Sequence, residues 1–355
     1  MCVTSDLTYI CYTNVLKKQR TFVESVRGTS FIEKLYDIYY GHQRRMPAKS
    51  AMDLTFRQVT ADDYDDVIAI RRGIYYGLDY LAGRYHTMLK THRGYVAMDG
   101  EKMVGFAFLT TVDDGTTSLV RAARVHEDYE GKGVYRSLSD YIRQFIICDK
   151  NIKRSAIAMH VDEEVERLVE KGATFVGKRK VLVFQGAAST VLPKITDVMD
   201  TEPLNHDAIA KIFTSTKLCS ILFPTERFVC NWVAYRLLSS NIQHFVSENQ
   251  NILCTSLDPE NASGQPLLSI GMPFKCAIGD LVCVDFHGDI GERSKVKEHL
   301  EKHMKMLLSQ QAENIVIMVT FDDLMDDSLL KTAMTNLSMK EKNLGINMNM
   351  IEESV

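Results

Sequence analysis

The sequence predicts an α/β (α+β) protein in which a mixed central sheet with flanking helices is followed by a second α/β domain. Two observations support this class. Along residues 54–186, short segments with strand-like alternation are interleaved with segments that have the 3.6-residue period of amphipathic helices. Farther along the chain, the continuous apolar runs 281–286 and 315–321 have the composition of buried central strands, and each precedes a helical pattern.

The predicted elements of residues 54–186 follow the order β-α-α-β-β-β-α-β-α-β. The turn Asp99-Gly100 separates the second and third strands, and Asp113-Asp114-Gly115 separates the third and fourth. In chain order we predict a strand at 55–59, helices at 64–74 and 80–90, strands at 95–98, 103–111 and 117–125, a helix at 134–147, a strand at 155–161, a helix at 163–171 and a strand at 174–184.

The rest of the chain divides into three parts. Residues 1–50 predict an arm with at most one amphipathic helix. Residues 187–205 carry Pro193 and Pro203 without strong periodicity, so we place a linker there. Residues 206–355 predict a C-terminal α/β domain, whose helices fall at 206–219, 231–247, 294–309 and 328–338. This domain carries no motif to which we attach chemistry.

Composition excludes several classes of protein. The 355 residues are 45% hydrophobic and 25% charged, which is typical of a globular chain of about two domains. The net charge of −4 argues against a general binder of nucleic acid or of anionic membranes. No stretch reaches the ~18 apolar residues of a membrane span, and residues 1–6 lack the pattern of a secretory signal. We therefore expect a cytoplasmic protein without nucleic-acid or membrane partners; the oligomeric state stays open.

The eight cysteines do not predict a disulfide framework or a metal site. They are sparse, and no pair has C-x2-C spacing. Most lie inside apolar runs, where cysteine acts as a small buried hydrophobe. We expect no metal.

The stretch 121–136 carries the clearest chemical signal. A strand ends, a loop with Gly131 and Gly133 follows, and an amphipathic helix then begins. Glycines let the backbone approach a ligand closely, and the N–H groups of a first helical turn point toward an anion. The stretch is therefore a candidate anion-binding loop, although ordinary turn geometry explains a G-x-G sequence equally well.

The position of this loop in the element order resembles the GNAT (GCN5-related N-acetyltransferase) family over residues 54–186. The resemblance implies acetyl-CoA as co-substrate, with its pyrophosphate at the loop and its pantetheine arm along the preceding strand. It assigns cofactor binding to Arg124, Val125, Glu130, Gly131, Lys132, Gly133, Val134, Tyr135 and Arg136. The direct transfer that it implies needs no covalent enzyme intermediate and no metal.

This chain departs from the family pattern at three positions. The family's Q/R-x-x-G-x-G/A motif falls on 130–135, where Glu130 replaces a basic or amide residue and Tyr135 replaces a small one. Many members carry a tyrosine general acid where this chain has Val169, so catalysis by that tyrosine is excluded. These departures favour an alternative reading as a non-catalytic GNAT scaffold.

Residues 73–86 resemble the segment spanning helices 1 and 2 in the animal histidine N-acetyltransferase group, which also carries a C-terminal domain of similar length. The resemblance places this segment over the acceptor site. Asp79 is then a candidate for a substrate ammonium or imidazole, and Arg84 for a substrate carboxylate. The tyrosines are candidates for an aromatic slot: Tyr75, Tyr76, Tyr80 and Tyr85. The alternative is helix packing with solvated charges.

Catalysis needs a group that accepts a proton from the attacking amine. His160 ends the fifth strand, beside the place where the family's acetyl group lies, and titrates in the useful range. A structural histidine is the alternative. Arg121 is a further candidate for a phosphate or carboxylate, whereas Glu163 and Glu164 are expected to be solvated residues of a helical first turn.

The function predicted from the sequence is acetyl-CoA-dependent N-acetylation of a small amine, above all the α-amino group of histidine or a related amino acid. The partner is thus a small-molecule amine or amino acid. A peptide or protein N-terminus is the alternative acceptor, and the non-catalytic scaffold is the alternative outside enzymes.

Overall fold

A computed structural model describes residues 53–160, 162–195, 202–246, 250–257, 266–307 and 313–355. The predicted arm at 1–50 and residues 196–201 of the predicted linker lie outside the described residues. Within the described ranges, no helix is both long and apolar enough to cross a membrane.

Fourteen strands are described, with these bounds: β1 Leu54–Gln58, β2 Arg93–Asp99, β3 Lys102–Val112, β4 Thr117–Val125, β5 Arg154–Met159, β6 Thr174–Ala187, β7 Arg227–Cys230, β8 Val233–Arg236, β9 Asn251–Cys254, β10 Leu267–Cys276, β11 Gly279–Gly288, β12 Asn314–Asp322, β13 Lys340–Lys342 and β14 Asn347–Ser354. The α-helices of the described ranges are α1 Tyr64–Ala69, α2 Leu81–Met88, α3 Val134–Cys148, α4 Asp162–Glu170, α5 Ala188–Val191, α6 His206–Thr214, α7 Thr216–Leu222, α8 Arg293–Lys305 and α9 Ser328–Asn336.

One mixed sheet contains strands from both predicted domains. Its order is β1-β2-β3-β4-β5-β14-β6-β12-β11-β10-β9, with β13 also paired to β6, while β7 and β8 form a separate hairpin. The strand nearest the C-terminus, β14, lies between β5 and β6 and is antiparallel to both. The predicted class, a mixed sheet with flanking helices, is confirmed. The predicted division at 187–205 stays a prediction, and the sheet itself joins the strands on its two sides.

Three helix predictions need correction. The helix predicted at 64–74 ends at Ala69, because Gly73, Tyr75 and Tyr76 all have positive φ, which an α-helix does not accommodate. The helix at 206–219 is two helices, since the Ser215 side chain accepts the N–H of Leu218 and caps the start of α7.

The helix predicted at 231–247 is wrong. Residues 227–236 form the β7–β8 hairpin, whose two-residue turn, Asn231-Trp232, has positive φ at both positions. In β8 the buried Val233 and Tyr235 alternate with less buried residues, which is the pattern of a strand. Only a short 3-10 segment, Ser239–His244, follows. Sequence analysis also missed β9, β10, β13 and β14.

The strands β4 and β5 diverge. They pair in parallel only through residues 117–119 and 154–156. Beyond that point β4 carries a bulge, where Ala122 has φ of 53° and Ala122 and Ala123 together stand opposite the single residue Ala107. The sheet therefore opens between its fourth and fifth strands.

Two glycines let helices α2 and α3 pack closely against the sheet near this opening. A Cβ on Gly105 of β3 would lie 2.8 Å from Cγ1 of Val134, so only glycine lets the start of α3 approach the sheet this closely. A Cβ on Gly83 of α2 would lie 2.7 Å from the carbonyl oxygen of Lys275, so α2 packs directly against β10. The C-terminal half thereby holds the segment predicted to cover the acceptor.

Candidate active site

A cavity of about 100 Å³ occupies the opening between β4 and β5. Both strands line it, with Val120–Ala123 on one side and Ala156–Ala158 on the other. The remaining lining side chains are mostly apolar or aromatic: Tyr75, Leu78, Tyr80, Leu119, Tyr135, Trp232, Val233, Phe274, Met318 and Ile346. A concave, largely apolar site with a few polar groups is the usual form of a small-molecule pocket.

The predicted anion-binding loop leads into this region. Gly131 and Gly133 have φ of 69° and 84°, conformations that favour glycine. Gly133 is the N-cap residue of α3 and provides no capping side chain, and the first turn of the helix contains no acidic residue. The local backbone therefore suits an anion.

Two side chains at the loop are engaged by neighbouring groups. The carboxylate of Glu130 forms an ion pair with the guanidinium of Arg71, so its charge is balanced within the protein. The ammonium of Lys132 lies 5.1 Å from the centre of the Tyr129 ring. Glu130 thus repels an incoming anion less than the sequence alone suggests.

Arg124 is buried and pairs with Asp79. Its side chain is 1% exposed, and its Nη1 lies 2.9 Å from Oδ2 of Asp79. The two residues were predicted to bind the cofactor and the acceptor, respectively, but here each binds the other. Val125 is buried in the core beside α3.

Tyr135 lies inside the protein and lines the cavity. Burial raises the pKa of its hydroxyl, which is partly offset by a hydrogen bond with Ser139. The Tyr135 side chain therefore occupies space next to the opening of the sheet.

The four predicted aromatic residues separate into two groups. Tyr75 and Tyr80 line the cavity. Tyr76 is 68% exposed, whereas Tyr85 is fully buried and donates its hydroxyl hydrogen to the carbonyl oxygen of Thr60 over 2.6 Å. Burial raises the pKa of Tyr85 to about 12. Its environment is the core between α2 and the sheet.

Trp232 completes the aromatic wall, and sequence analysis missed it. Its ring is nearly parallel to that of Tyr75, with centroids 6.2 Å apart and an interplanar angle of 17°. The strained left-handed backbone at Tyr75 and at Trp232 presents both rings at the cavity. The signal in the sequence was Asn231 between two short alternating runs, because asparagine tolerates the positive φ of a hairpin turn, whereas tryptophan is not a usual turn residue.

His160 follows β5 and is half buried. Its ring meets the Tyr75 ring edge-on, with centroids 6.1 Å apart, so it lies beside a residue of the cavity wall. Burial lowers the pKa of His160. A neutral imidazole can accept a proton.

Arg84 and Arg121 form a concentration of positive charge on the same side. Arg121 lines the cavity, its Nη2 donates to the carbonyl oxygen of Asn231 over 2.9 Å, and its guanidinium lies 5.4 Å from the centre of the Tyr80 ring. The Nη1 of Arg84 is buried and has no hydrogen-bond partner. Burial and the charge of Arg121 lower the pKa of Arg84.

Comparison with curated proteins shows related chains over most of this length. Histidine N-acetyltransferase of Oreochromis niloticus is 25% identical over 284 residues, which are 73% of this chain and 82% of that protein. Histidine N-acetyltransferase of Scomber australasicus is 23% identical over the same shares of the two chains. The family model "Histidine N-acetyltransferase, C-terminal" matches residues 197–322.

Solved structures with related topology include acetyltransferases. A tandem GNAT protein from the clavulanic acid biosynthesis pathway has 10% identity and a TM-score of 0.46, and the match covers 85% of this chain and 98% of that one. A GCN5-related N-acetyltransferase from Sphaerobacter thermophilus has 10% identity and a TM-score of 0.45, and the match covers 85% of this chain and 95% of that one. The predicted resemblance to the histidine N-acetyltransferase group rests on the curated relatives and the family model, and it is confirmed: this chain is an N-acetyltransferase.

Proposed function

We propose that this protein transfers the acetyl group of acetyl-CoA to the α-amino group of histidine or a related amino acid. The observation that carries the proposal is the opening of the sheet between β4 and β5, where a cavity with an aromatic wall adjoins the bulge at Ala122. The relatives are named histidine N-acetyltransferases, which supports this choice of acceptor.

The residues present fit acetyl-CoA at two places. The left-handed backbone at Gly131 and Gly133 and the N-terminus of α3 would hold the pyrophosphate. The edges of the opened strands β4 and β5 would line the pantetheine arm. When bound, acetyl-CoA would supply the acetyl group as an activated thioester.

The chain's own residues contribute to the reaction in three ways. His160, whose burial lowers its pKa and so favours the neutral imidazole, accepts the proton that the amine must lose. Backbone N–H groups at the bulge of residues 122–123 polarise a carbonyl oxygen. Tyr75, Tyr80 and Trp232 exclude water and orient the acceptor.

A thiol-release assay tests this function. Purified full-length protein is mixed with acetyl-CoA and a panel of free amino acids, simple amines and histidine-led peptides. The proposal predicts that free histidine releases CoA faster than a peptide that begins with histidine. A preference for peptides would reject the small-molecule acceptor, and the absence of turnover together with the absence of a thermal shift by acetyl-CoA would favour the scaffold.

A further inference from the structure

A buried positive charge without an acidic partner adjoins the acceptor side of the cavity. Among the described residues, neither Arg84 nor Arg121 forms an ion pair with a carboxylate. The largest electrostatic neighbours of Arg84 are Arg121, Cys230, Tyr235 and Tyr80, of which none is a carboxylate. Two guanidinium groups therefore share a largely buried region in which their charges repel.

Other buried arginines of this protein have acidic neighbours. Arg124 lies 2.9 Å from Asp79, and Arg227 lies 2.9 Å from Glu352. The charge of Arg179 acts on Asp285. Because a buried and uncompensated charge is strongly unfavourable, the contrast indicates that the anion for Arg84 and Arg121 comes from outside the chain.

The position of Arg84 and Arg121 relative to the reacting atoms indicates which anion they bind. Arg121 lines the cavity and directly precedes Ala122, the bulge residue. Arg84 lies one helical turn beyond Tyr80, another residue of the cavity wall. In an α-amino acid the carboxylate carbon is bonded to the same carbon as the amine, so a carboxylate held by Arg121 keeps the amine beside the bulge.

We propose that Arg84 and Arg121 form a carboxylate-binding subsite that restricts the acceptor to free α-amino acids. This inference rests on the proposed function and names the group by which it recognises its substrate. Guanidinium groups bind carboxylates through charge-assisted hydrogen bonds, to which the unpartnered Nη1 of Arg84 would contribute one. A decarboxylated amine, an amino-acid amide or a peptide lacks this carboxylate at the α-carbon of the amine.

The test compares matched acceptors on matched variants. The acceptors are L-histidine, histidine amide and histamine, which share the amine and the imidazole and differ in the carboxylate. The variants are Arg84→Met, Arg121→Met and Arg84→Lys, with Arg167→Met on α4 as the control, since Arg167 pairs with Glu164 away from the cavity. Steady-state kcat/KM is measured for each acceptor, and acetyl-CoA affinity is measured by calorimetry.

We expect wild-type protein to prefer histidine over histamine and over histidine amide. Arg84→Met and Arg121→Met should each lower kcat/KM for histidine by roughly 10- to 100-fold, the value of a charged hydrogen bond. In both methionine variants the preference for histidine over histamine should fall by a similar factor, while acetyl-CoA affinity should stay within about twofold of wild type, as should every property of Arg167→Met. Arg84→Lys should recover part of the loss because it keeps the charge.

Two results would overturn the subsite. One is a wild-type protein that acetylates histamine as well as histidine, a result that needs no variant to fold. The other is a histidine preference that survives in both methionine variants. If no amine is acetylated at all, the proposed function fails, and direct binding then decides the subsite: histidine binding that Arg84→Met abolishes supports it, whereas equal binding of histidine and histamine, or none, refutes it.

Discussion

The guanidinium of Arg124 binds the carboxylate of Asp79, with Nη1 2.9 Å from Oδ2 and Nη2 3.3 Å from Oδ1. This bidentate pair ties the segment before α2 to strand β4 beside the opening of the sheet. Asp79 also accepts the backbone N–H of Leu81 at the start of α2. A pair of residues that the sequence predicted to bind two different ligands thus fixes the wall of the cavity.

Removal of this carboxylate should destabilise the fold. Asp79→Asn leaves the charge of Arg124 buried and uncompensated, which we expect to cost about 3 kcal/mol of unfolding free energy. Denaturant unfolding measures this cost, and Arg57→Met, which removes an exposed ion pair with Asp63, should cost less than about 1 kcal/mol. Equal stability of Asp79→Asn and wild type would show that the pair is not structural.

The ion pair of Glu130 and Arg71 should control the affinity of the loop for acetyl-CoA. Glu130→Gln leaves the charge of Arg71 uncompensated beside the loop, so it should tighten binding by about two- to threefold, less than Glu130→Arg. Arg71→Met leaves Glu130 uncompensated and should weaken binding by about two- to fivefold, with a larger effect at low salt. Glu130→Arg should tighten binding several-fold. Calorimetry at two salt concentrations measures all three, and identical affinities would place the pyrophosphate elsewhere.

His160 should determine the acidic limb of the rate profile. Burial lowers its pKa, so the neutral form persists to a pH below the ordinary value of about 6.5, and activity should fall as pH drops through that lowered pKa. His160→Gln should lower kcat by roughly 10²–10⁴-fold with little change in acetyl-CoA affinity, and the acidic limb should disappear. An unchanged kcat would make His160 structural; His86→Gln, at an exposed position, provides the control.

Trp232 gives a direct optical report on the acceptor site. It is the single tryptophan of the chain, so selective excitation observes the cavity wall alone. Histidine should change its fluorescence with a midpoint close to the KM. Trp232→Ala should raise KM for histidine by about 5- to 20-fold, as expected for one lost aromatic contact, and Trp232→Phe should recover most of it. No fluorescence change at saturating histidine would place the acceptor elsewhere.

The hairpin that carries Trp232 depends on strand β14. Glu352 of β14 binds Arg227 and Arg236, at 2.9 and 2.7 Å, on the two strands of the hairpin. Glu352→Gln should therefore loosen the hairpin, which would lower the fluorescence anisotropy of Trp232 and raise KM for histidine with little effect on acetyl-CoA affinity. Lys178, paired with the exposed Asp162, provides a control as Lys178→Met. Unchanged anisotropy would show that Glu352 of β14 does not hold the hairpin that carries Trp232.

Local patterns in the sequence predicted what depends on local physics. Three features depend mainly on neighbouring residues and lie where they were predicted. They are helix α3, the loop before it with Gly131 and Gly133, and the buried strands β11 and β12. The pairing of Asp79 with Arg124, the insertion of β14 between β5 and β6, and the approach of Trp232 to Tyr75 join residues that are far apart in sequence. The periodicity of a single sequence does not encode contacts between distant residues, so only the structure shows how the cavity wall is assembled.

The central claim is that the protein acetylates the α-amine of a free amino acid, and the mass of the product tests it most directly. Wild-type protein is incubated with acetyl-CoA carrying a deuterated acetyl group and with L-histidine, and the product is fragmented in a mass spectrometer. The account predicts a labelled acetylhistidine whose fragments carry the label on the α-nitrogen and leave the imidazole unmodified. A label on the imidazole, or no labelled product from any free amino acid while acetyl-CoA still binds, would contradict it.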